Sequence, residues 1–422
     1  MFSSIIFVVI FIGVLITFHE FGHLIVAKLS HIPVESFSIG FGPVLLKSKI
    51  GETEYRLSLI PLGGYIKMIG EENPEQGGFS DKPLGIRVAV IAAGPVFNLF
   101  LGFVMITVMY FIFGLKYLTP IVYPLPNSTA QKAGLQPGDI ILFAGKDTIP
   151  DFATLERILE KKRNSPDRRC QLQVLRGKEK LFINYDVPDS LDIEPLLVPV
   201  VDRVRAGSPA AKIGLRPGDR ITSVAGIEVK RWEDFVDIVM KNGGNQIEIS
   251  YLRGDRLFTD SITPAVESDQ LTNERFGQIG VWVYLPKRSM SVPVALYEAI
   301  RRTRYITVQT FVIIYKVITR QISTRVIGGP IMVAKIAYEG ASWGAEYFLA
   351  LWALLSVNLF VVNMLPVPVL DGGRILLDII ASIRRRKLSD RELAWASNIG
   401  WALIGLLIVF TLFNDIIRLI RK

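Results

Sequence analysis

Four long apolar stretches constrain this chain more than any other feature of its sequence. They lie at about 4–28, 88–114, 346–370 and 394–417, and each is long enough to cross a bilayer as a helix. Half of the 422 residues are hydrophobic, which is more than an ordinary soluble enzyme of this length carries. The sequence therefore predicts a polytopic α-helical membrane protein with four transmembrane helices.

The basic residues indicate how these helices are oriented. The densest basic cluster, Arg384-Arg385-Arg386-Lys387, comes shortly after the third apolar stretch. Basic loops stay in the cytoplasm, so strict alternation places residues 30–87 there and residues 115–345 outside. Three basic residues near the C-terminus, Arg418, Arg421 and Lys422, weakly favour the opposite orientation. The net charge of +9 fits such membrane flanks, and we predict no nucleic-acid partner.

The first apolar stretch contains the motif His19-Glu20-Phe21-Gly22-His23. Residues four apart share a helix face, so His19 and His23 can bind one metal ion while Glu20 handles a proton. The motif predicts a zinc hydrolase whose site lies inside a bilayer, where ionisable groups are costly. The alternative is a chance match with two core histidines. The stretch lacks the basic start and cleavage site of a signal peptide, so we expect it to be retained as a transmembrane helix.

A catalytic zinc ion needs three protein ligands and an open position. His31 lies eight residues beyond His23, about 12 Å along the same helix, which is too far to join the other two histidines. The single cysteine, Cys170, cannot form a cysteine cluster. We therefore predict a carboxylate ligand on another span, and Asp371 is the candidate because prolines and glycines break the chain around it. Asp378 is the runner-up.

The first connection, residues 30–87, carries two β-prone runs, Val44 to Lys49 and Glu54 to Ile60, around the turn signal Gly51-Glu52. They predict a hairpin or small sheet on the cytoplasmic side. The preceding Gly40-Phe41-Gly42-Pro43 is apolar and could dip back toward the active site. A solvated cytoplasmic loop is the equally open alternative.

The large middle connection contains an internal repeat. Residues 133–139 (AGLQPGD) recur 80 residues later as 213–219 (IGLRPGD), and each copy continues into a β-prone run and an amphipathic helix. The predicted helices run from about Phe152 to Lys161 and from Trp232 to Met240. This signature resembles PDZ domains, small modules that capture extended peptides. We predict two extracytoplasmic PDZ-like domains of α+β type at 115–200 and 201–287.

The segment after the repeats, residues 288–345, is amphipathic from Val292 to about Tyr338. Arginines 301, 302 and 304 alternate with aromatic and aliphatic residues, a pattern typical of a helix lying along the outer membrane surface. A core helix of the soluble part is the alternative.

Together these features resemble the site-2 protease family of intramembrane zinc metalloproteases. The resemblance rests on the HEFGH motif in the first span, the sequence from Asn363 to Gly372 (NMLPVPVLDG) at the end of the third, and the tandem repeats between spans two and three. It covers essentially the whole chain, with the two halves of the protease core at 1–114 and 346–422.

The resemblance implies functional residues at matching positions. It implies one Zn²⁺ bound by His19, His23 and Asp371, with Glu20 as the catalytic acid and base. It implies substrate handling by Asn363, Pro366 and Pro368, and a segment near the site from Gly94 to Asn98. We predict that Asn98 also belongs to the substrate-binding set, although it could instead bond across helices.

The resemblance also implies the biological setting. The expected protein lies in the bacterial cytoplasmic membrane, with periplasmic PDZ domains and an active site toward the cytoplasm. Its expected substrates are single-span membrane proteins, such as an anti-sigma factor after a first extracytoplasmic cut, and signal-peptide remnants. We hypothesise that the repeats exclude substrates with bulky outer domains. An inactive membrane scaffold and a zinc or proton transporter are the other classes compatible with these residues.

Overall fold

The computed structural model describes residues 2–71, 76–268, 274–322, 328–329, 331–333, 336, 340, 343–386 and 388–420. Predictions that rest on Lys387, Arg421, Lys422 and most of 323–342 lie outside these residues. The chain divides into two compact units. Met1–Phe113 and Met290–Lys422 form one, called here the membrane unit, and Gly114–Ser289 form the other, called the repeat unit.

The helices of the described residues include four that contain spans long and apolar enough to cross a membrane: Phe11–Leu29, Leu84–Phe113, Ala345–Asn363 and Asp390–Ile417. The predicted number of spans is therefore confirmed. In chain order the helices are α1 (Phe2–Leu29), α2 (Leu84–Phe113), α3 (Thr129–Lys132), α4 (Phe152–Arg163), α5 (Pro209–Lys212), α6 (Trp232–Lys241), α7 (Val292–Ile318), α8 (Ala345–Asn363), α9 (Asp371–Ile383) and α10 (Asp390–Ile420).

The third span is shorter than predicted. Its helix, α8, ends at Asn363 rather than near residue 370, and a new helix, α9, begins at Asp371. Pro366 and Pro368 lack the N–H groups that would continue α8, so the chain turns between the two helices. The predicted helix break is real, but it precedes the acid by seven residues.

The strands of the described residues belong mostly to the repeat unit. In chain order they are β1 (Val34–Ile50), β2 (Thr53–Met68), β3 (Leu115–Lys116), β4 (Ile121–Pro124), β5 (Asp139–Ala144), β6 (Asp147–Thr148), β7 (Arg169–Arg176), β8 (Glu179–Asp186), β9 (Ile193–Pro195), β10 (Val201–Val204), β11 (Arg220–Val224), β12 (Ile227–Glu228), β13 (Ile247–Arg253), β14 (Arg256–Ile262), β15 (Ala265–Ser268), β16 (Arg275–Gln278), β17 (Val281–Val283) and β18 (Lys287–Arg288).

Strands β1 and β2 form the predicted sheet of the first connection, with Ile50 opposite Thr53 at the turn. Residues 36–39 pair on one side with 54–57 and on the other with 64–67, so the two long strands fold back into a compact sheet. A Cβ atom on Gly13 of α1 would lie 2.3 Å from the Pro61 carbonyl oxygen. This contact lies about 9 Å along α1 from His19. The sheet therefore runs back along the first span.

The repeat unit contains two cores built from matching positions. Ala130, Leu135, Ile141 and Leu155 are buried in the first core, and the residues 80 positions later are buried in the second. The first copy has the strand order β8-β7-β5-β4-β9, with β6 beside β5. The second copy has the order β12-β11-β13-β14 and the pairs β10-β17 and β15-β16, while β3 pairs with β18. The predicted helices are present as α4 and α6.

Helix α7 lies within the segment 288–345. It belongs to the membrane unit and packs against α2 and α8, so it is not a core helix of the repeat unit. Ala295, Ala299, Thr303 and Ile306 form its buried stripe, and the Thr310 hydroxyl donates to Asn358 Oδ1 of α8 at 2.8 Å. This stripe extends about 16 Å. The helix thus packs against the bundle through this stripe, and its position along the outer membrane surface stays a prediction.

Candidate metal centre and its cavity

Three side chains that the sequence places far apart meet in the membrane unit. His19 Nε2 lies 3.1 Å from Asp371 Oδ2 and 3.2 Å from His23 Nε2, and His23 Nε2 lies 3.8 Å from Asp371 Oδ1. Both histidines are 7% exposed. Among the described residues this is the group of histidine, cysteine and acidic side chains whose donor atoms converge closely enough to hold a metal ion.

The donor set fits zinc. Ligand atoms at about 2.0–2.2 Å from a tetrahedral zinc ion lie about 3.3 Å from each other, close to the distances observed here. Two imidazole nitrogens and one carboxylate are a ligand set of catalytic zinc sites, which leave the fourth position open. The side chains present can therefore hold the ion that the HEFGH motif predicts.

Helix α2 fixes the orientation of His23. Its Nδ1 lies 2.8 Å from the Val90 carbonyl oxygen, which can only accept, so the proton is on Nδ1 and Nε2 is free to bind metal. The ring lies directly against the backbone of Gly94, where an added Cβ would be 2.2 Å from Nε2. Gly22 makes the same close approach from α1, since a Cβ there would lie 2.4 Å from the Ala93 carbonyl oxygen. Two glycines thus bring α1 and α2 together at the site.

Asp371 is positioned by the start of helix α9. As the first residue of the helix it lies where the unpaired N–H groups favour a negative charge. Gly372 and Gly373 follow it because the preceding loop folds closely over this turn: a Cβ on Gly373 would lie 2.0 Å from the Val367 carbonyl oxygen. The glycines that appeared in the sequence to break a helix instead allow this close packing.

Glu20 lies with the three ligands in the wall of one cavity of about 300 Å³. The wall also includes residues of the folded-back sheet and of helix α9. The lining residues are His19, Glu20, His23, Tyr65, Ile66, Met68, Glu71, Ile91, Asn363, Val369, Leu370, Asp371 and Arg374. A carboxylate, a metal-ligand set and room for a peptide segment are therefore present together.

The remaining predicted residues differ in their positions. Asn363 lines the cavity, with its Nδ2 3.4 Å from His19 Nδ1. Pro366 and Pro368 lie in the loop between α8 and α9 and are not part of the cavity wall. Asn98 is fully buried and is not part of the cavity wall. Asp378 pairs with Arg87 at 3.4 Å and is not part of the metal-binding group.

Two cavity residues were missed from the sequence. Arg374 donates to Glu71 at 2.5 Å and lies over the ring of Phe79, with its guanidinium carbon 5.1 Å from the ring centre. Arg374 is three residues after Asp371 and therefore on the same face of α9, a spacing that could have identified it. Glu71 had no comparable signal, since it reaches the cavity only through the fold of the sheet.

A second buried carboxylate lies elsewhere in the membrane unit. Asp415 in α10 is 2% exposed and accepts hydrogen bonds from the backbone N–H groups of Gly329, Ile331 and Met332 at 3.0–3.1 Å. Its partners are backbone donors rather than metal ligands. An acid within an apolar span is a functional signal in general, but these bonds identify Asp415 as a structural anchor.

Known proteins resemble this chain along nearly its whole length. The pattern that defines peptidase family M50 matches residues 7–407. Regulator of sigma-E protease RseP from Salmonella typhimurium is 34% identical over 441 residues, covering 97% of this chain and 98% of that protein. RseP from Escherichia coli K12 is 34% identical over 444 residues, with the same coverage. A Neisseria meningitidis protein named as a candidate zinc metalloprotease is 31% identical over 435 residues, 96% of this chain and 97% of that protein.

One solved structure relates to the repeats. The PDZ domain of an SdrC-like protein from Listeria monocytogenes is 26% identical and matches 20% of this chain and 84% of that chain. Its TM-score is 0.17, which is too low to support a conclusion about the fold.

The apolar helices and the zinc-binding group beside Glu20 define an intramembrane zinc metalloprotease. The chain belongs to peptidase family M50, the site-2 protease family that its motifs resemble. Zinc is accordingly its cofactor, as predicted, and the scaffold and transporter alternatives are wrong.

Proposed function

We propose that this protease hydrolyses a peptide bond within the transmembrane segment of a single-span membrane protein. The observation that carries the proposal is the placement of Glu20, His19 and His23, on a helix long and apolar enough to span a membrane, in one cavity with Asp371. A soluble zinc peptidase would need no such helices around its site, and their cost is justified if the scissile bond itself lies in the bilayer.

The chemistry divides between the metal and Glu20. When bound by His19, His23 and Asp371, zinc would polarise the peptide carbonyl and lower the pKa of water. Glu20 takes the proton of the attacking water, which adds to the peptide carbonyl carbon. Glu20 then gives this proton to the leaving amine as the C–N bond breaks. The His19 and His23 rings are oriented for metal binding by partners on a neighbouring helix.

The folded-back sheet supports substrate binding in an extended form. A transmembrane helix hides its carbonyl groups in its own hydrogen bonds and must unwind before hydrolysis. Residues 64–66 pair with 37–39 on one side, and in the part of the chain that the structure describes no strand pairs with 64–66 on the other side. Tyr65, Ile66 and Met68 of this edge line the cavity. An unwound substrate can therefore add as a further strand.

Three residues near α9 are proposed to hold the same substrate segment. The Asn363 side-chain amide faces the cavity and can bond to the freed backbone of the substrate. Pro366 and Pro368 shape the loop that follows it. Helix-breaking residues in the substrate favour cleavage in this scheme, since less helical structure has to be lost.

The biological role is proposed from the relatives' names. Several are regulators of sigma-E protease, so we propose an anti-sigma factor as substrate after a first extracytoplasmic cut, with signal-peptide remnants as a second class. The protein then lies in the bacterial inner membrane, with the PDZ-like repeats in the periplasm. Arg384 and Arg386 follow the C-terminal end of α9, and these basic residues support a cytoplasmic position for that end of the helix. The repeats are proposed to exclude substrates with bulky outer domains.

Cleavage of defined substrates by the purified full-length protein tests this proposal. Two single-span proteins with the same span, one with a folded outer domain and one without, would be incubated with the protease and the cut mapped by mass spectrometry. We expect a cut within the span, and cleavage mainly of the protein that lacks the outer domain. Cuts confined to residues outside the span would contradict the proposal.

The Glu20→Gln variant tests the mechanism separately. It should keep its zinc and lose roughly a thousandfold in turnover, because the proton acceptor is removed and the ligands are not. Glu35→Gln is the matched control, since Glu35 forms an exposed pair with Lys67. Undiminished turnover in Glu20→Gln would show that another group accepts the proton.

A further inference from the structure

Two asparagine side chains compete for one ring nitrogen of His19. The Asn98 Nδ2 atom lies 3.2 Å from His19 Nδ1, and the Asn363 Nδ2 atom lies 3.4 Å from it. The other ring nitrogen, Nε2, faces Asp371 and His23 and is the metal-binding atom. A histidine that binds metal through Nε2 keeps its proton on Nδ1, so Nδ1 is a donor and needs an acceptor.

An amide nitrogen cannot supply that acceptor, but an amide oxygen can. The Oδ1 atom of Asn98 is buried and has no hydrogen-bond partner among the described residues. Oxygen and nitrogen of a side-chain amide have nearly the same shape, and which is which follows from the hydrogen bonds they make. Turning the Asn98 amide by half a rotation places Oδ1 on the His19 N–H and gives the buried oxygen its missing partner.

Asn98 is held more firmly than Asn363. Its backbone oxygen accepts a hydrogen bond from the Ser356 hydroxyl of α8 at 2.7 Å, and both residues are 0% exposed. One turn later, a Cβ on Gly102 would lie 2.7 Å from the Val357 side chain, so α2 and α8 are in close contact here. Asn363, by contrast, lines the cavity and remains accessible to a peptide.

We propose that the two asparagines have different roles: Asn98 is a positioning residue whose side-chain oxygen accepts the His19 Nδ1–H, and Asn363 is left to bind substrate. Helix α2 then supplies the acceptor for both zinc-binding histidines, through the Val90 carbonyl for His23 and the Asn98 side chain for His19. This inference rests on the proposed zinc ligands. It replaces the prediction that Asn98 contacts substrate.

Zinc affinity of the full-length protein, measured by competition with a chelator, tests the inference. Asn98→Leu keeps the size of the side chain but has no acceptor, and we expect its zinc affinity to fall by about 10- to 100-fold. Asn98→Asp keeps an acceptor and should hold zinc at least as tightly as the unaltered protein. Asn363→Leu, the matched control, should bind zinc normally and raise the KM for a single-span substrate.

Thermal unfolding of the metal-free proteins shows whether each variant folds. If Asn98→Leu is misfolded, Asn98→Ala replaces it, with the same expected loss of zinc. Normal zinc affinity in a folded Asn98 variant that lacks an acceptor would overturn the inference, as would a larger loss in Asn363→Leu. His19→Ala distinguishes an error in the zinc ligands from an error in the role of Asn98. If this variant still binds zinc as the unaltered protein does, the assignment of His19 as a ligand is wrong.

Discussion

Buried carboxylates occur in both units of this protein, but they have different partners. In the repeat unit, Asp139 and Asp219 are each 1% exposed, and each accepts two hydrogen bonds from an arginine, Arg176 or Arg253, at 2.8 Å. In the membrane unit, Asp371 is only partly buried and faces two histidine nitrogens instead of an arginine. A carboxylate whose oxygens are all satisfied by fixed donors holds the fold together. A carboxylate that faces uncharged metal-binding nitrogens is available for chemistry.

The two repeat pairs are nearly identical in geometry. In each copy the backbone N–H three residues earlier, from Gln136 or Arg216, also bonds the aspartate, at 2.9 and 2.8 Å. In each copy the same arginine also donates to a glycine carbonyl. The glycines of this loop have positive φ, for example Gly138 at +94° and Gly218 at +91°. The shared sequence signature thus encodes an ion pair with a buried aspartate.

The largest effect is expected at Asp371. Asp371→Ala removes one of three metal ligands, so zinc affinity should fall by more than about 100-fold, beyond the loss typical of outer partners. Asp378→Ala is the matched control. Asp378 lies seven residues after Asp371 on the same helix, but it pairs with Arg87 of α2. Metal content after dialysis measures both. Full zinc occupancy in Asp371→Ala would show that the two kinds of carboxylate have been assigned wrongly.

Gly94→Ala should affect the site by steric exclusion alone. The new methyl group would occupy the position of the His23 ring, so we expect cleavage to fall at least tenfold and zinc binding to weaken. Gly85→Ala on the same helix is the control, since a Cβ there meets nothing within 4 Å. Both changes favour the helix by about 1 kcal/mol. Equal activity of the two variants would contradict the close packing of α2 against His23.

Asp139→Ala and Asp219→Ala should destabilise the repeat unit without changing zinc content. Each change removes the buried carboxylate that pairs with an arginine, and we expect a loss of about 3 kcal/mol in the free energy of unfolding. The loss should not be larger, because the arginines are partly exposed and water can solvate them. Urea unfolding followed by limited proteolysis of the full-length protein measures this. The exposed Asp147→Ala serves as reference. A fall in zinc content would mean that these residues serve the metal site as well.

The ion pair beside the cavity should matter least. Glu71 and Arg374 are 20% and 39% exposed, so Glu71→Gln is expected to cost no more than about 1 kcal/mol, or about fivefold in KM. The reason for any effect is that both residues line the cavity and join the sheet to α9. Glu35→Gln, which breaks a more exposed pair with Lys67, should leave KM unchanged. A larger change in kcat than in KM would give Arg374 a direct part in the chemistry.

Much of the site could be predicted because its chemistry is written in local patterns. His19, Glu20 and His23 share one helical face at fixed spacing, and scarcity of histidine directed the third ligand to a carboxylate. The repeat was visible from an offset of 80 residues, and its helices α4 and α6 followed from apolar spacing. The motif and the helix spacing depend on residues close together in the chain, and the repeat is a short local pattern that recurs.

What the sequence determined alone was the number of spans, the metal motif, the repeat and the acid at Asp371. Only the tertiary structure decided that α8 ends at Asn363, that α7 packs against α2 and α8, and that Asn98 lies beside His19. The physical reason is distance along the chain. Periodicity and breaking residues act over a few positions, whereas contacts such as those of His19 with Asn98 and Asp371 join residues 79 and 352 positions apart.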